Sequence, residues 1–270
     1  LSKFNLLFFS ILFDTPPKNN LFNNKIVEIA MNKTVLNSLF VLALGVSQNV
    51  FAGLDISPIQ LFISEKNKQR SATVTLDSKG IPTQKIFEAS AVKWSQDSQG
   101  QDVLEPDPSI LINPKNFVIQ PESSQVIRVG FAQAIDSMDL SKEKTWRIIF
   151  TEIPSVTNET SVNFLLNISI PLFVGTKDLF NLGVMPSTKD GNLILKIKNN
   201  ADSHIKVTQI AIVDDANNKE IANISDMKYL LQQTEYGFGF GNVKLSQGHS
   251  YTVKISIDKK ETPIEIKIKG

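Results

Sequence analysis

Residues 161–176, "SVNFLLNISIPLFVGT", decide the fold. Read at every second position they give Val162, Phe164, Leu166, Ile168, Ile170, Leu172 and Val174. The intervening file is Ser161, Asn163, Leu165, Asn167, Ser169, Pro171 and Phe173, polar at its start. A repeat of two is a β-strand with two unlike faces. Typical strands run about 5–6 residues, so about three inward side chains seat one on a core. The apolar file here is longer than that. Its extra length predicts a strand that faces something besides its own core.

The same alternation recurs on both sides of this stretch. Upstream lie 54–63, with Pro58 at an edge or bulge, then 71–77, 85–94, 109–114, 116–121, 124–131 and 145–154. Short alternating runs separated by turn residues are the pattern of an Ig-like sandwich. Downstream, after a pause at "GTKDLFNLGVMPSTKDG", come 192–199, 205–215, 219–225, 229–234, 242–245, 250–258 and 263–270. No amphipathic helical period appears from Gly53 onward. The expected fold is therefore all-β, with two Ig-like β-sandwich domains over 53–174 and 177–270. A linker this short would set them at a fixed, boomerang-like angle with a cleft between them. "GFGFG" at 237–241 reads as a glycine-aromatic turn.

Composition narrows the function. The chain has 270 residues, a net charge of +1 and no cysteine. Near-neutral charge leaves no electrostatic footprint for nucleic acid or an anionic membrane. Without cysteine there is neither a disulfide nor a thiolate zinc site. From Met31 the sequence "MNKTVLNSLFVLALGVSQNVFA" has a positive start, an apolar stretch and a Val50-Phe51-Ala52 cleavage pattern. Residues 31–52 thus read as a secretory signal peptide. Residues 1–30 read as an upstream extension from a miscalled start. The apolar run at 4–13 is short of the roughly 20 residues that span a bilayer.

No catalytic constellation stands out. The two histidines, His204 and His249, sit beside turn residues and read as surface or loop positions. They lack the convergent partners of a metal site. Neither a nucleophile elbow nor a phosphate-binding glycine loop is present. Asp102, Glu105 and Asp107 cluster in a proline-rich segment that reads as a solvated loop. The expectation is a protein without catalytic residues, metal or cofactor. Arg128 in "VIRVGF" and Arg147 in "WRIIF" interrupt apolar strands. Each either points outward with its stem covering apolar surface, or grips a carboxylate through its guanidinium fork.

The order of these pieces resembles a known family. A signal peptide, "VKW" at 92–94, "NPKNFVIQPESSQVIRV", "WRIIFTEIP" and a long alternating strand are similar to the periplasmic chaperones of the chaperone–usher pilus pathway. "ISIPLFV" at 168–174, "NNADSHIKV" at 199–207 and "YLLQQ" at 229–233 resemble the archaic, spore-coat-type branch. The resemblance spans 53–270 and implies periplasmic localisation. It also implies pilin subunits and an outer-membrane usher as partners. Val162, Phe164, Leu166, Ile168 and Ile170 would then be the donor residues that complete the pilin's Ig fold. When no pilin is bound, the same edge would favour self-association.

One departure from the family is clear. Members outside the archaic branch anchor the pilin's terminal carboxylate with an Arg from the first strand and a Lys from the last. Those positions fall near Pro58 and at Pro171 here, and neither can serve. Arg128 or Arg147 is the candidate replacement. The competing reading, from a different class, is a secreted two-domain Ig-like adhesin or surface module that binds through loops.

Overall fold

The computed structural model describes residues 53–64, 69–133, 135, 138–154, 164–176 and 180–270. The signal peptide read at 31–52 and the extension before it lie outside the described residues. Among the described residues there is no α-helix.

Four sheets form two sandwiches. In the first, β1 (Gly53–Ser57), β3 (Ser71–Lys79), β8 (Ser124–Phe131) and β6 (Ile110–Asn113) lie side by side in that order. The facing sheet runs β2 (Leu61–Ile63), β10 (Asn167–Val174), β9 (Lys144–Ile153), β4 (Lys85–Gln96) and β5 (Asp102–Pro106). β7 (Asn116–Ile119) also pairs with β4. Period-two patterning builds the core between them. β3 turns Val74 and Leu76 inward, β8 Ile127 and Val129, and β9 Ile148 and Phe150, all fully buried.

The second sandwich has β11 (Leu182–Lys189), β12 (Asn192–Asn199) and β16 (Glu235–Gly239) in one sheet. The other holds β14 (Lys219–Ile224), β13 (Ile205–Asp214), β17 (Ser250–Ile257) and β18 (Lys260–Lys269), with β15 (Lys228–Leu230) also on β13. Leu195, Ile197, Val207, Ile212, Phe238, Val253 and Ile255 make its core.

The structure corrects several expectations. Residues 54–63 are not one strand. They divide at Pro58 into β1 and β2, which belong to different sheets. Pro58 has no N–H to continue a ladder, and the chain crosses from one sheet to the other there. The glycine-aromatic segment is largely strand, not turn. A Cβ on Gly237 would lie 3.0 Å from the Ile194 side chain, so glycine lets β16 sit tightly on β12. Residues 102–106, read as loop, form the edge strand β5. Every residue of β5 is exposed, so no alternation marked it. β11 was hidden in the expected pause, with Pro186 on an edge strand where its missing donor does no harm. Residues 242–245, expected as a strand, are not one.

Candidate strand-edge binding site

β10 pairs antiparallel with β9 along its whole length, from Asn167 opposite Thr151 to Val174 opposite Lys144. On its other edge β2 covers only Leu172, Phe173 and Val174, in parallel. Residues 167–171 therefore have a strand neighbour on one side only among the described residues. Such an edge offers unpaired main-chain groups to another strand.

The apolar file that crosses this edge is divided. Leu172 and Val174 are fully buried. Ile170 is 4% exposed and packs in the core with Ile148, its partner across the sheet. The sequence reading places Ile170 in the offered set; its side chain is covered here by the chain's own sandwich. Ile168 and Leu166 are half-buried at the margin of the core. Phe164 is 87% exposed and Leu165 48%. Val162 lies outside the described residues.

Glu152 meets the start of this strand. It continues the inward file of β9 after Ile148 and Phe150 and is 6% exposed. Its Oε2 accepts the Leu166 N–H at 3.0 Å, and its own N–H donates to the Leu166 carbonyl at 2.8 Å. Lys85 on β4 donates to its Oε1 at 2.6 Å. The sequence reading used "EIP" as a motif without a role for its glutamate. The signal it missed was a carboxylate on the apolar face of an alternating strand.

The other end of β10 reaches the second sandwich. Phe173 is on the outward file and packs with Trp94, Leu231 and Tyr229. Arg147 lies across this cluster, its guanidinium carbon 3.8 Å from the Trp94 ring centre and 3.8 Å separating Nη2 from Asp102 Oδ2. Burial lowers the Arg147 pKa, with Asp102 acting in the opposite direction. Burial also pushes the Tyr229 hydroxyl up to about 12. Gln60 donates to that hydroxyl at 2.9 Å. Gln96 bridges the sandwiches through three bonds. Its Nε2 donates to the Tyr229 carbonyl, and its Oε1 accepts from the Leu231 N–H and the Thr234 hydroxyl, each at 2.9 Å.

His204, expected at the surface, is buried in this junction. Its N–H donates to Glu143 Oε1 at 2.9 Å and its Nδ1 lies 2.7 Å from the same oxygen. Burial pulls the imidazole pKa down, against the hydrogen bond and charge of Glu143. His249 is exposed. The acidic cluster is also dispersed in role. Asp102 faces Arg147, whereas Asp107 accepts the Trp146 indole N–H at 2.8 Å and the Ser109 N–H at 2.9 Å. No group of three or more His, Asp or Glu side chains suited to a metal exists among the described residues.

The two arginines are not brought together. Arg128 is exposed on the outer face of the sheet containing β8, and its Nε donates to Ser71 Oγ at 2.9 Å. Arg147 projects from the outer face of the opposite sheet into the junction.

Residues 53–179 match the family model described as "Pili and flagellar-assembly chaperone, PapD N-terminal domain". Residues 53–179 therefore carry the N-terminal domain of that family. The pilus-chaperone fold extends beyond that domain. The structure is similar to the chaperone in the CsuC–CsuE pre-assembly complex of the archaic Csu pili of Acinetobacter baumannii. The TM-score is 0.58 and the identity 19%, over 80% of this chain and 98% of that one. It is also similar to the YadV chaperone, with a TM-score of 0.56 and 15% identity over 80% of this chain and 99% of that one. A third likeness is the class 5 fimbriae chaperone CfaA, at 0.52 and 16% over 80% and 98%. At such identities what these structures share with this chain is the fold. None of the curated proteins matches it.

Proposed function

We propose that this chain is a pilus chaperone that captures pilin subunits by lending them the open edge of β10. The observation that carries the reading is the position of Phe164, fully presented to solvent where β10 leaves its own sandwich. A guest strand laid along residues 164–171 would take main-chain hydrogen bonds from the edge and bury the apolar file. Chaperone–pilin donor-strand complementation is itself a named example of such β-augmentation. Burial of the Phe164 side chain contributes about 1.5–3 kcal/mol before association costs. Leu166 and Ile168 contribute less, since both are already half-covered. Val162 would extend the file.

The donated strand performs no chemistry and needs neither cofactor nor metal, so the role is non-enzymatic. Capture would take place in the periplasm after removal of the signal read at 31–52. Delivery would be to an outer-membrane usher, where the next subunit's own segment replaces the donated strand. Pro171 in the position of the family's anchoring Lys, and Pro58 near that of its Arg, favour the archaic branch. For the pilin's terminal carboxylate Arg147 is the candidate, since it stands opposite Pro171 across the β9–β10 ladder, whereas Arg128 lies on the outer face of the other sheet. Without a pilin, the same edge would pair with a second copy.

The test is co-expression in the periplasm with the pilin encoded beside its gene, followed by pull-down and size exclusion. A one-to-one complex, lost on Phe164→Glu while the melting temperature holds, is expected. If no pilin co-purifies with the wild-type chain, the chaperone reading fails and a surface module takes its place.

A further inference from the structure

We infer that Glu152, held by Lys85, is a positioning residue that fixes the register of the projecting start of the donated strand, residues 164–166. This rests on the strand-donation reading above.

The position is unusual for its residue type. Glu152 occupies an inward site of β9, in line with Ile148 and Phe150 and opposite Phe87 of β4. A carboxylate there must be fully compensated, or its desolvation would disfavour the fold. Lys85 supplies the charge from β4, two strands away from β10. The second oxygen is left to accept a backbone N–H, and the group it takes is that of Leu166. Glu152 thereby holds Leu166 at both main-chain groups, with its backbone on the carbonyl and its side chain on the amide.

Leu166 immediately precedes the regular ladder, which begins at Asn167. Beyond it the chain leaves the sheet toward exposed Phe164. The place where the chain is gripped therefore decides which of residues 164–166 stand in the apolar file. A one-residue bulge between Leu166 and Asn167 would turn Leu165 into the apolar file in place of Leu166 and Phe164. The ladder over Asn167–Val174, with Ile170, Leu172 and Val174 buried, fixes Ile168 but does not by itself hold the segment that projects. Glu152 does so through a side chain anchored on a different strand.

A purely structural role for Glu152 makes a different prediction from a register role. Methionine is close to glutamate in length and suits an inward site, but it offers no comparable acceptor. Glutamine keeps an acceptor for the Leu166 amide and loses only the charge. Lys85 is partly exposed and can turn to water in either variant.

The experiment compares wild type, Glu152→Met and Glu152→Gln in periplasmic co-expression with the pilin encoded beside the gene. Hydrogen exchange at the Leu166 amide is measured alongside. The methionine variant should melt within about 5 °C of wild type, exchange Leu166 faster, and yield at least about ten-fold less complex. The glutamine variant should restore both protection and capture. If the methionine variant does not fold, Lys85→Met/Glu152→Met removes the stranded cation and takes its place in the comparison. Full capture by an acceptor-less variant overturns the inference. Unchanged Leu166 exchange, or equal loss in the methionine and glutamine variants, overturns it as well. Failure of the wild-type chain to capture pilin overturns the underlying reading instead, and Leu166 exchange still reports whether the clamp exists.

Discussion

Phe173 and His204 stack face to face, their ring centres 3.5 Å apart and their planes 10° from parallel. One ring belongs to the strand that carries the binding edge, the other to the second sandwich. The imidazole is wholly buried, with Nδ1 on Glu143 and no protein partner for Nε2 among the described residues. Protonation would put a second N–H and a charge into that site.

Stability should therefore fall with acid in a window set by His204. Its folded pKa lies below the ordinary value of 6.5 because burial disfavours the charged form. The unfolded chain then binds the proton more readily than the folded one. The contribution is fully present above pH 6.5 and is lost progressively down to the folded pKa. Thermal melting between pH 7.5 and 5 should show this slope, and His204→Asn should flatten it. Parallel slopes in both proteins would remove His204 as the cause.

Gln96→Ala should cost about 2–3 kcal/mol in urea unfolding. It deletes the acceptor of the buried Leu231 N–H and leaves that donor without its partner. The effect reports on the contact between the sandwiches. A change below about 0.5 kcal/mol would place this bridge among ordinary surface substitutions.

Ile170→Ala and Phe164→Ala separate the two ends of one apolar file. Ile170 is core, and its truncation should cost about 2–5 kcal/mol. Phe164 is exposed, so its truncation should stay within about 0.5 kcal/mol while capture of pilin falls. Equal stability losses at the two sites would contradict this division of the strand.

The arginines should behave differently from one another. Arg147→Ala removes the guanidinium from the Trp94 face and should destabilise the chain by about 1–2 kcal/mol. Arg128→Ala should leave stability within about 0.5 kcal/mol. In pull-downs Arg147→Ala, and not Arg128→Ala, should weaken capture of a pilin with a free terminal carboxylate while sparing one whose carboxylate is amidated. Equal capture of the two pilins by the wild-type chain would exclude this anchor.

The sequence by itself determined that residues 167–174 are extended and which of their side chains share a face, because a period of two admits no other regular backbone. It also made the order of motifs over 53–174 legible, and with it the family of the first domain. Strands with one dry face were found where they lie, such as β12 over Asn192–Asn199. Strands exposed on both faces, such as β5, carried no periodic signal.

The tertiary structure decided where the apolar file stops being core. Periodicity tells which side a residue is on, but not whether another layer covers that side. Ile170 is covered and Phe164 is not, though both have the same place in the pattern. Only the fold could bring His204 onto Glu143, Gln96 onto Leu231, and Glu152 onto Lys85 and Leu166. These partners are distant in sequence. A polar residue's role is set by the neighbour that satisfies it, and chain closure alone chooses that neighbour.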